Sequence, residues 1–181
     1  MHIREHVQLS AAAALLAAPW LKQEVAIPLA ASILIDVDHY AWHALTRRTF
    51  SLRAAMQYFG QADPPQLRRM RVLHSPVVLG LLLILALRTR SRFLSLVLAG
   101  LLFHVSLDAI HVTQIGHLKK MLSEQAEHKC KTCGQEYAAL QLHTVYVARN
   151  IFDRYHPRHF VVLCPVCHED AHNPVLDKKS N

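Results

Sequence analysis

The feature that most constrains this chain is a set of apolar runs, each about 10 to 15 residues long, that carry imidazoles and carboxylates inside them or at their ends. Residues 9–18, 25–35, 76–87 and 93–107 are built largely from Ala, Leu, Ile and Val. Runs of that length suit buried helices and fall short of the roughly 20 residues that cross a bilayer. In the last run Leu101, Leu102 and Phe103 lead into His104, Asp108 and His111. These are spaced four and three apart, so on a helix all three project from one face. A buried unpaired charge is costly, so an imidazole and a carboxylate here imply a partner, either each other or a metal ion.

The same residue types recur at the other runs. His6 precedes the first, Asp36, Asp38 and His39 follow the second, and His74 opens the third. Imidazole and carboxylate are the ligands of hydrolytic zinc or manganese centres, which helical bundles assemble by pointing side chains inward. We read His6, Asp36, His39, His74, His104 and Asp108 as a ligand set for one or two divalent ions, zinc or manganese. With two, one ion would polarise a phosphoryl or acyl oxygen while the other supplies hydroxide from a water brought to a pKa of about 7. Asp36 and His39 share a helix face, whereas Asp38 points away from it and suits a bridging or orienting role. Asp38, His104 and Asp108 are expected to carry the chemistry, Asp38 by orienting a ligand or accepting a proton. Blander roles exist for each: His6 on a surface turn, His74 before a helix capped by Ser75, and Asp36 to His39 as an N-cap cluster. His43 and His111 are read as satisfied or exposed.

Composition places this core near a membrane. The chain is 52% hydrophobic and only 18% charged, with a mean hydropathy of +0.15, too apolar for an ordinary soluble enzyme of 181 residues. Its net charge of +7 favours anionic partners, phospholipid headgroups or nucleic acid. Arginine clusters at Arg68, Arg69 and Arg71 and at Arg88, Arg90 and Arg92 fit attachment to the cytoplasmic leaflet. Residues 9–18 have the look of a signal core, but Glu5 and His6 just before them argue for keeping the segment in the mature protein. The expected fold is mostly α: a helical bundle core over residues 1–125 and a small C-terminal zinc-bound ββα module over residues 126–181. Helices are expected over about residues 4–18, 25–35, 76–87 and from 93 past Lys119 and Lys120. Residues 48–65 read as a surface excursion with one short helix, ending in the turn Asp63-Pro64-Pro65.

All four cysteines lie in the second part, as Cys130-Lys-Thr-Cys133 and Cys164-Pro-Val-Cys167. Two Cys-x-x-Cys pairs about thirty residues apart predict a structural zinc held by four thiolates in a reducing compartment. Between them, residues 139–146 alternate like a strand, residues 160–163 form a second strand, and residues 165–172 a short helix.

Two resemblances follow from these motifs. Asp36-Val-Asp38-His39, then His74-Ser75, then His104-x-x-x-Asp108, after an early His6, resemble the YdjM-like family of bacterial inner-membrane proteins, named by inference as metal-dependent hydrolases. The likeness covers residues 1–118. It implies an all-α core, a site able to hold more than one metal, a phosphoester or lipid-like substrate, and an inner-membrane location; the reducing compartment read from the cysteines puts the zinc module on the cytoplasmic side. The strand, strand, helix pattern on a zinc clamp over residues 128–173 is similar to the HNH endonuclease fold. That resemblance implies an ion held by His143 and His172. Thr144 stands where the family's general base is expected and His159 where an asparagine usually sits, so the module is a degenerate one. It implies a protein that binds nucleic acid or cleaves it weakly, its helical part serving as an anchor to a membrane or partner. This second function competes with the hydrolase, and a third is a non-catalytic helical protein held together by buried ion pairs.

Overall fold

A computed structural model describes residues 3–59, 72–146 and 153–172. The chain is mostly helical, with a small two-stranded sheet and one helix near its C-terminus. Two compact units divide it, residues 1–111 and 112–181.

The first unit begins with α1 (Ile3–Leu21), whose four consecutive alanines, Ala11 to Ala14, favour helix. The expected helix stops at about residue 18, before Pro19, but α1 runs on through it to Leu21. So close to a helix end, proline costs one backbone hydrogen bond and not the helix. Lys22, at φ 52°, and a short 3-10 turn then reverse the chain into α2 (Ala26–Leu34). Pro28 is tolerated because the first N–H groups of a helix have no partner to lose. Ser10 and Ser32 pin the two helices through a buried hydroxyl pair at 2.8 Å, each satisfying the other. A third helix, α3 (Val37–Arg47), ends at Arg48 in the left-handed region, φ 51°. The expected short helix follows as α4 (Leu52–Phe59), opened by Ser51, whose Oγ accepts from the Ala54 N–H at 3.2 Å.

Ser75 caps α5 (Pro76–Thr89), its Oγ accepting from the Val77 N–H at 3.3 Å, with Pro76 in the first helical position. Arg90, at φ 50°, and Ser91 make the short connection to α6 (Arg92–Gln125). There the Ser91 hydroxyl accepts from the Leu94 N–H at 3.3 Å. Gly100 of α6 lies against the backbone of Pro28 in α2, so close that a Cβ would overlap the Pro28 carbonyl oxygen. Arg92 pairs with Glu24 at 2.6 Å, tying the start of α6 to the α1–α2 turn. Both connections therefore lie at one end of the unit, and the residues before α5 and after α2 lie at the other.

The polar residues that interrupt the apolar runs do not interrupt the helices. α6 continues through His104, Asp108 and His111 for 34 residues. Two helical stretches, Glu5–Arg47 and Arg92–Gln125, are long and apolar enough to cross a membrane, although the first folds back at Lys22. Only 11% and 22% of their most apolar windows are buried inside the protein, unlike the core helix of a soluble domain. Leu15, Leu16, Trp20, Leu81 and Leu87 all face outward.

In the second unit, β1 (Gln141–Thr144) pairs antiparallel with β2 (Phe160–Leu163), Gln141 opposite Leu163 and Thr144 opposite Phe160. Leu140, Leu142, Phe160 and Val162 form its small core, and α7 (Pro165–His172) follows directly. The expected turn at Asp63-Pro64-Pro65 and the basic cluster Arg68, Arg69 and Arg71 lie outside the described residues.

Candidate metal centres

In the first unit, four separate segments deliver side chains to one place. His6 comes from the start of α1, Asp36 from the α2–α3 junction, and Asp38 and His39 from the first turn of α3. His74 comes from the turn before α5, and His104 and Asp108 from adjacent turns of α6. Their rings pack in series: His6 stacks on His104 at 4.1 Å, His74 meets His104 edge-on at 5.3 Å, and His39 meets His74 at 4.9 Å. Three triads result, His6/His104/Asp108, Asp36/His74/His104 and Asp38/His39/His74, each with its ligand atoms within 4.8 Å of one another. His104 and His74 are each shared by two triads, so the cluster is continuous. All seven residues singled out in the helical core are thus brought together. His43 and His111 belong to none of these triads; His43 is buried with its ring 5.6 Å from that of Tyr58.

The hydrogen bonds of this cluster fix which imidazole nitrogens are available. His104 is fully buried, and its Nδ1 lies 2.7 Å from the Ser32 carbonyl oxygen. A carbonyl only accepts, so Nδ1 carries a hydrogen, and Nε2 is the nitrogen left either to hold a second proton or to ligate an ion. That Nε2 makes no hydrogen bond, yet it faces Asp36 Oδ1 at 3.3 Å and Asp108 Oδ2 at 3.8 Å. His74 repeats the arrangement. Its Nδ1 donates to Asp38 Oδ2 at 3.3 Å, while its buried Nε2 makes no hydrogen bond and faces Asp36 Oδ1 at 3.7 Å and Asp108 Oδ2 at 3.8 Å. Two ring nitrogens and two carboxylates converging on one space need either protons or a metal cation among them. Nitrogen and oxygen donors of this kind fit zinc or manganese.

Asp38 lies between His39 and His74. It accepts from His39 Nδ1 at 2.6 Å, from His74 Nδ1 and from the Leu73 N–H at 3.1 Å. A carboxylate on the outer nitrogen of a metal-binding imidazole fixes the ring's tautomer and orientation. With Asp38 so engaged, the Nε2 atom of His74 is left for an ion.

No protein family, curated protein or solved structure matches this chain.

The second unit holds two further clusters. Cys130, Cys133, Cys164 and Cys167 gather with every sulfur within 4.8 Å of the others, a group able to hold a metal ion. Gly134, at φ 71°, makes the tight turn of the first knuckle, its N–H donating to the Cys130 carbonyl at 2.9 Å. Burial raises the Cys130 thiol, but hydrogen bonds from the backbone of Cys133, Cys164 and Thr132 outweigh it and bring it down to about 6. Hydrogen bonding to Cys164, with burial, pushes Cys167 up to about 12. Four sulfurs this close cannot all be thiolates without a cation, and a tetrahedral metal supplies it.

Beside this clamp, His143 on β1 meets His168 and His172 on α7, the three forming a group within 4.8 Å. The sequence pattern points to His143 and His172 and passes over His168, which sits next to Cys167 and looks like part of the knuckle. Its signal is the four-residue step to His172, which puts both rings on one face of α7, their Nε2 atoms 3.3 Å apart. Burial, and the neighbouring His172, hold His143 below the ordinary imidazole value, keeping it neutral and ligand-competent. Thr144 ends β1 opposite Phe160, and His159 is buried and bonded to Asp153 at 3.0 Å.

Proposed function

We propose that this protein is a membrane-associated, metal-dependent hydrolase whose site is the cluster of His6, Asp36, Asp38, His39, His74, His104 and Asp108. The observation that carries this reading is the pair of buried Nε2 atoms, on His104 and His74, that make no hydrogen bond and lie 3.3–3.8 Å from the carboxylates of Asp36 and Asp108. A pair of divalent cations there would supply Lewis-acid polarisation of a phosphoryl or acyl oxygen and an activated water. The chain's own residues do the rest. Ser32 and Asp38 hold the His104, His39 and His74 rings in one tautomer each, so the ligand atoms are set before anything binds. Three carboxylates against two divalent cations leave a net positive site, which favours an anionic substrate such as a phosphoester. Asp36, the most exposed of the three carboxylates, is placed to take the proton from the attacking water.

The inner membrane as its location is supported by the apolar, outward-facing helices, and a cytoplasmic zinc module by its four free cysteines. Turnover of a soluble chromogenic phosphodiester by the purified full-length protein tests the reading. Activity should vanish with a chelator, return with manganese or zinc, and be lost in His104→Gln while the zinc clamp stays intact. Equal activity in wild type and His104→Gln would overturn it.

A second reading is favoured by the His143, His168 and His172 group: the C-terminal module binds nucleic acid through an ion held by three imidazoles. With Thr144 in place of a base, it would bind phosphodiesters far better than it cleaves them, since a hydroxyl accepts no proton at neutral pH. Salt-dependent DNA binding that is lost in His168→Ala would support it.

A further inference from the structure

The four sulfurs of the second unit are not equally protected. Cys130 and Cys164 are only 2% and 1% exposed, Cys167 is half-buried, and Cys133 is exposed. The exposed sulfur lies 4.0 Å from that of Cys164, which belongs to the other knuckle. Each knuckle is held by its own backbone: the Gly134 N–H closes the first on the Cys130 carbonyl, and in the second the Cys167 N–H donates to Cys164 Sγ at 3.4 Å. One bond crosses between them, from the Lys131 N–H to the Val162 carbonyl at 3.0 Å. The approach of Cys133 to Cys164 is thus fixed by how the first knuckle docks on the end of β2.

Beside the clamp lies an open cavity of about 590 Å³, lined by His128, Glu136, Tyr137 and Ala138. The Tyr137 hydroxyl donates to the Cys164 sulfur, so the cavity comes within one side chain of the clamp. A small polar molecule therefore reaches the sulfurs directly at Cys133 and along this wall toward Cys164. The clamp in turn supports α7. Cys164 precedes that helix, Cys167 lies in its first turn, and His168 and His172 follow on it to meet His143. A helix of eight residues has little stability of its own, and the unit's core is too small to supply much more.

We propose that the clamp is a redox switch: hydrogen peroxide joins Cys133 to Cys164 across the two knuckles, which expels the bound metal, loosens α7 and disperses the His143, His168 and His172 group. This goes beyond both functional readings above and depends on neither. In the first step the Cys133 thiolate attacks one peroxide oxygen, the O–O bond breaks, and a sulfenic acid and a hydroxide form. In the second the Cys164 thiolate attacks the Cys133 sulfur, the S–O bond breaks, and a second hydroxide leaves as the disulfide forms. Two protons from solvent turn both hydroxides into water, so the two thiolates lose two electrons and the peroxide gains them. With two of its four ligands gone, the metal is no longer held. The disulfide lies within the chain and keeps the knuckles tied, so reduction restores the clamp.

The test uses the full chain loaded with zinc, in a His74→Gln/His104→Gln background so that the helical cluster contributes none. Peroxide should release zinc, read with a chromogenic chelator, in step with the loss of two thiols per chain. Mass spectrometry of the alkylated digest should show Cys133 linked to Cys164, with Cys130 and Cys167 alkylated. Amide protection of α7 should fall as zinc leaves and return on adding dithiothreitol and zinc. Cys133→His keeps a fourth ligand but removes the exposed thiol, and it should slow release at least about 10-fold. Zinc retained under peroxide, linkage within a knuckle, oxidation that stops at sulfinic acid, or equally fast release from Cys133→His would each overturn the proposal. If Cys133→His does not hold zinc, the linkage found with all four cysteines present decides.

Discussion

Both ring nitrogens of His104 have an assigned task, and this sets the character of the site. The Ser32 carbonyl takes the hydrogen of Nδ1, and Nε2 faces two carboxylates with no hydrogen bond of its own. Asp38 does for His39 and His74 what Ser32 does for His104, so Asp38→Asn should leave the ligands in place but loosen them. We expect it to weaken metal binding by about 10- to 100-fold, measured by competitive metal titration. In the other unit, hydrogen bonds from Arg158 and His159 hold the Asp153 carboxyl below its ordinary 3.8. Its contribution to stability is therefore complete above that value and is lost as pH falls through the lowered one. The melting temperature of wild type should fall more steeply than that of Asp153→Asn below about pH 4. At this scale the sequence was legible where polar residues stood out against aliphatic runs, as at His6, His74, His104 and Asp108. It was opaque where a residue sat inside another motif, as His168 does beside Cys167. Asp38 was read as turned away from its neighbours, since spacing along one helix cannot show that His74, from a distant turn, would come to meet it.

Among the elements, β2 and α7 were legible to the residue, because a four-residue β-branched and aromatic run followed by a cysteine-proline step leaves little freedom. The long helix α6 was harder. Its apolar run stops near Leu107, but a helix needs only continued backbone hydrogen bonding, and Asp108, His111 and Thr113 do not prevent that. The contact between α6 and α2 depends on Gly100, where the Pro28 backbone occupies the space a side chain would need. Gly100→Ala must push the two helices apart, and backbone cannot yield as a flexible side chain would. We expect a loss of about 1–3 kcal/mol in the first unit, read from chemical denaturation in detergent. The shift would also move His104 relative to Ser32, so weaker metal binding should accompany it.

For the whole molecule, the two units differ in what keeps them folded. The first has long helices whose apolar surface is mostly outside, surface that the proposed membrane setting would cover. The second has a core of a few residues around two short strands, too small to be stable without its clamp. Cys164→Ser, or a strong chelator, should therefore abolish the amide protection of β1 and β2 while leaving that of α1 and α2 in place, as hydrogen exchange would show. Which apolar surfaces stay on the outside was not legible in run lengths alone, because the same 10 to 15 apolar residues serve a buried core equally well. The central claim is that the cluster around His104 and His74 is a metal centre and not a set of buried ion pairs with a proton on each Nε2. The most direct measurement is the metal content and X-ray absorption of the full chain beside a His74→Gln/His104→Gln variant. Wild type should hold one or two more equivalents than the variant, bound by nitrogen and oxygen donors at about 2.0–2.2 Å. Identical metal content in the two, with all of it bound to sulfur, would contradict it.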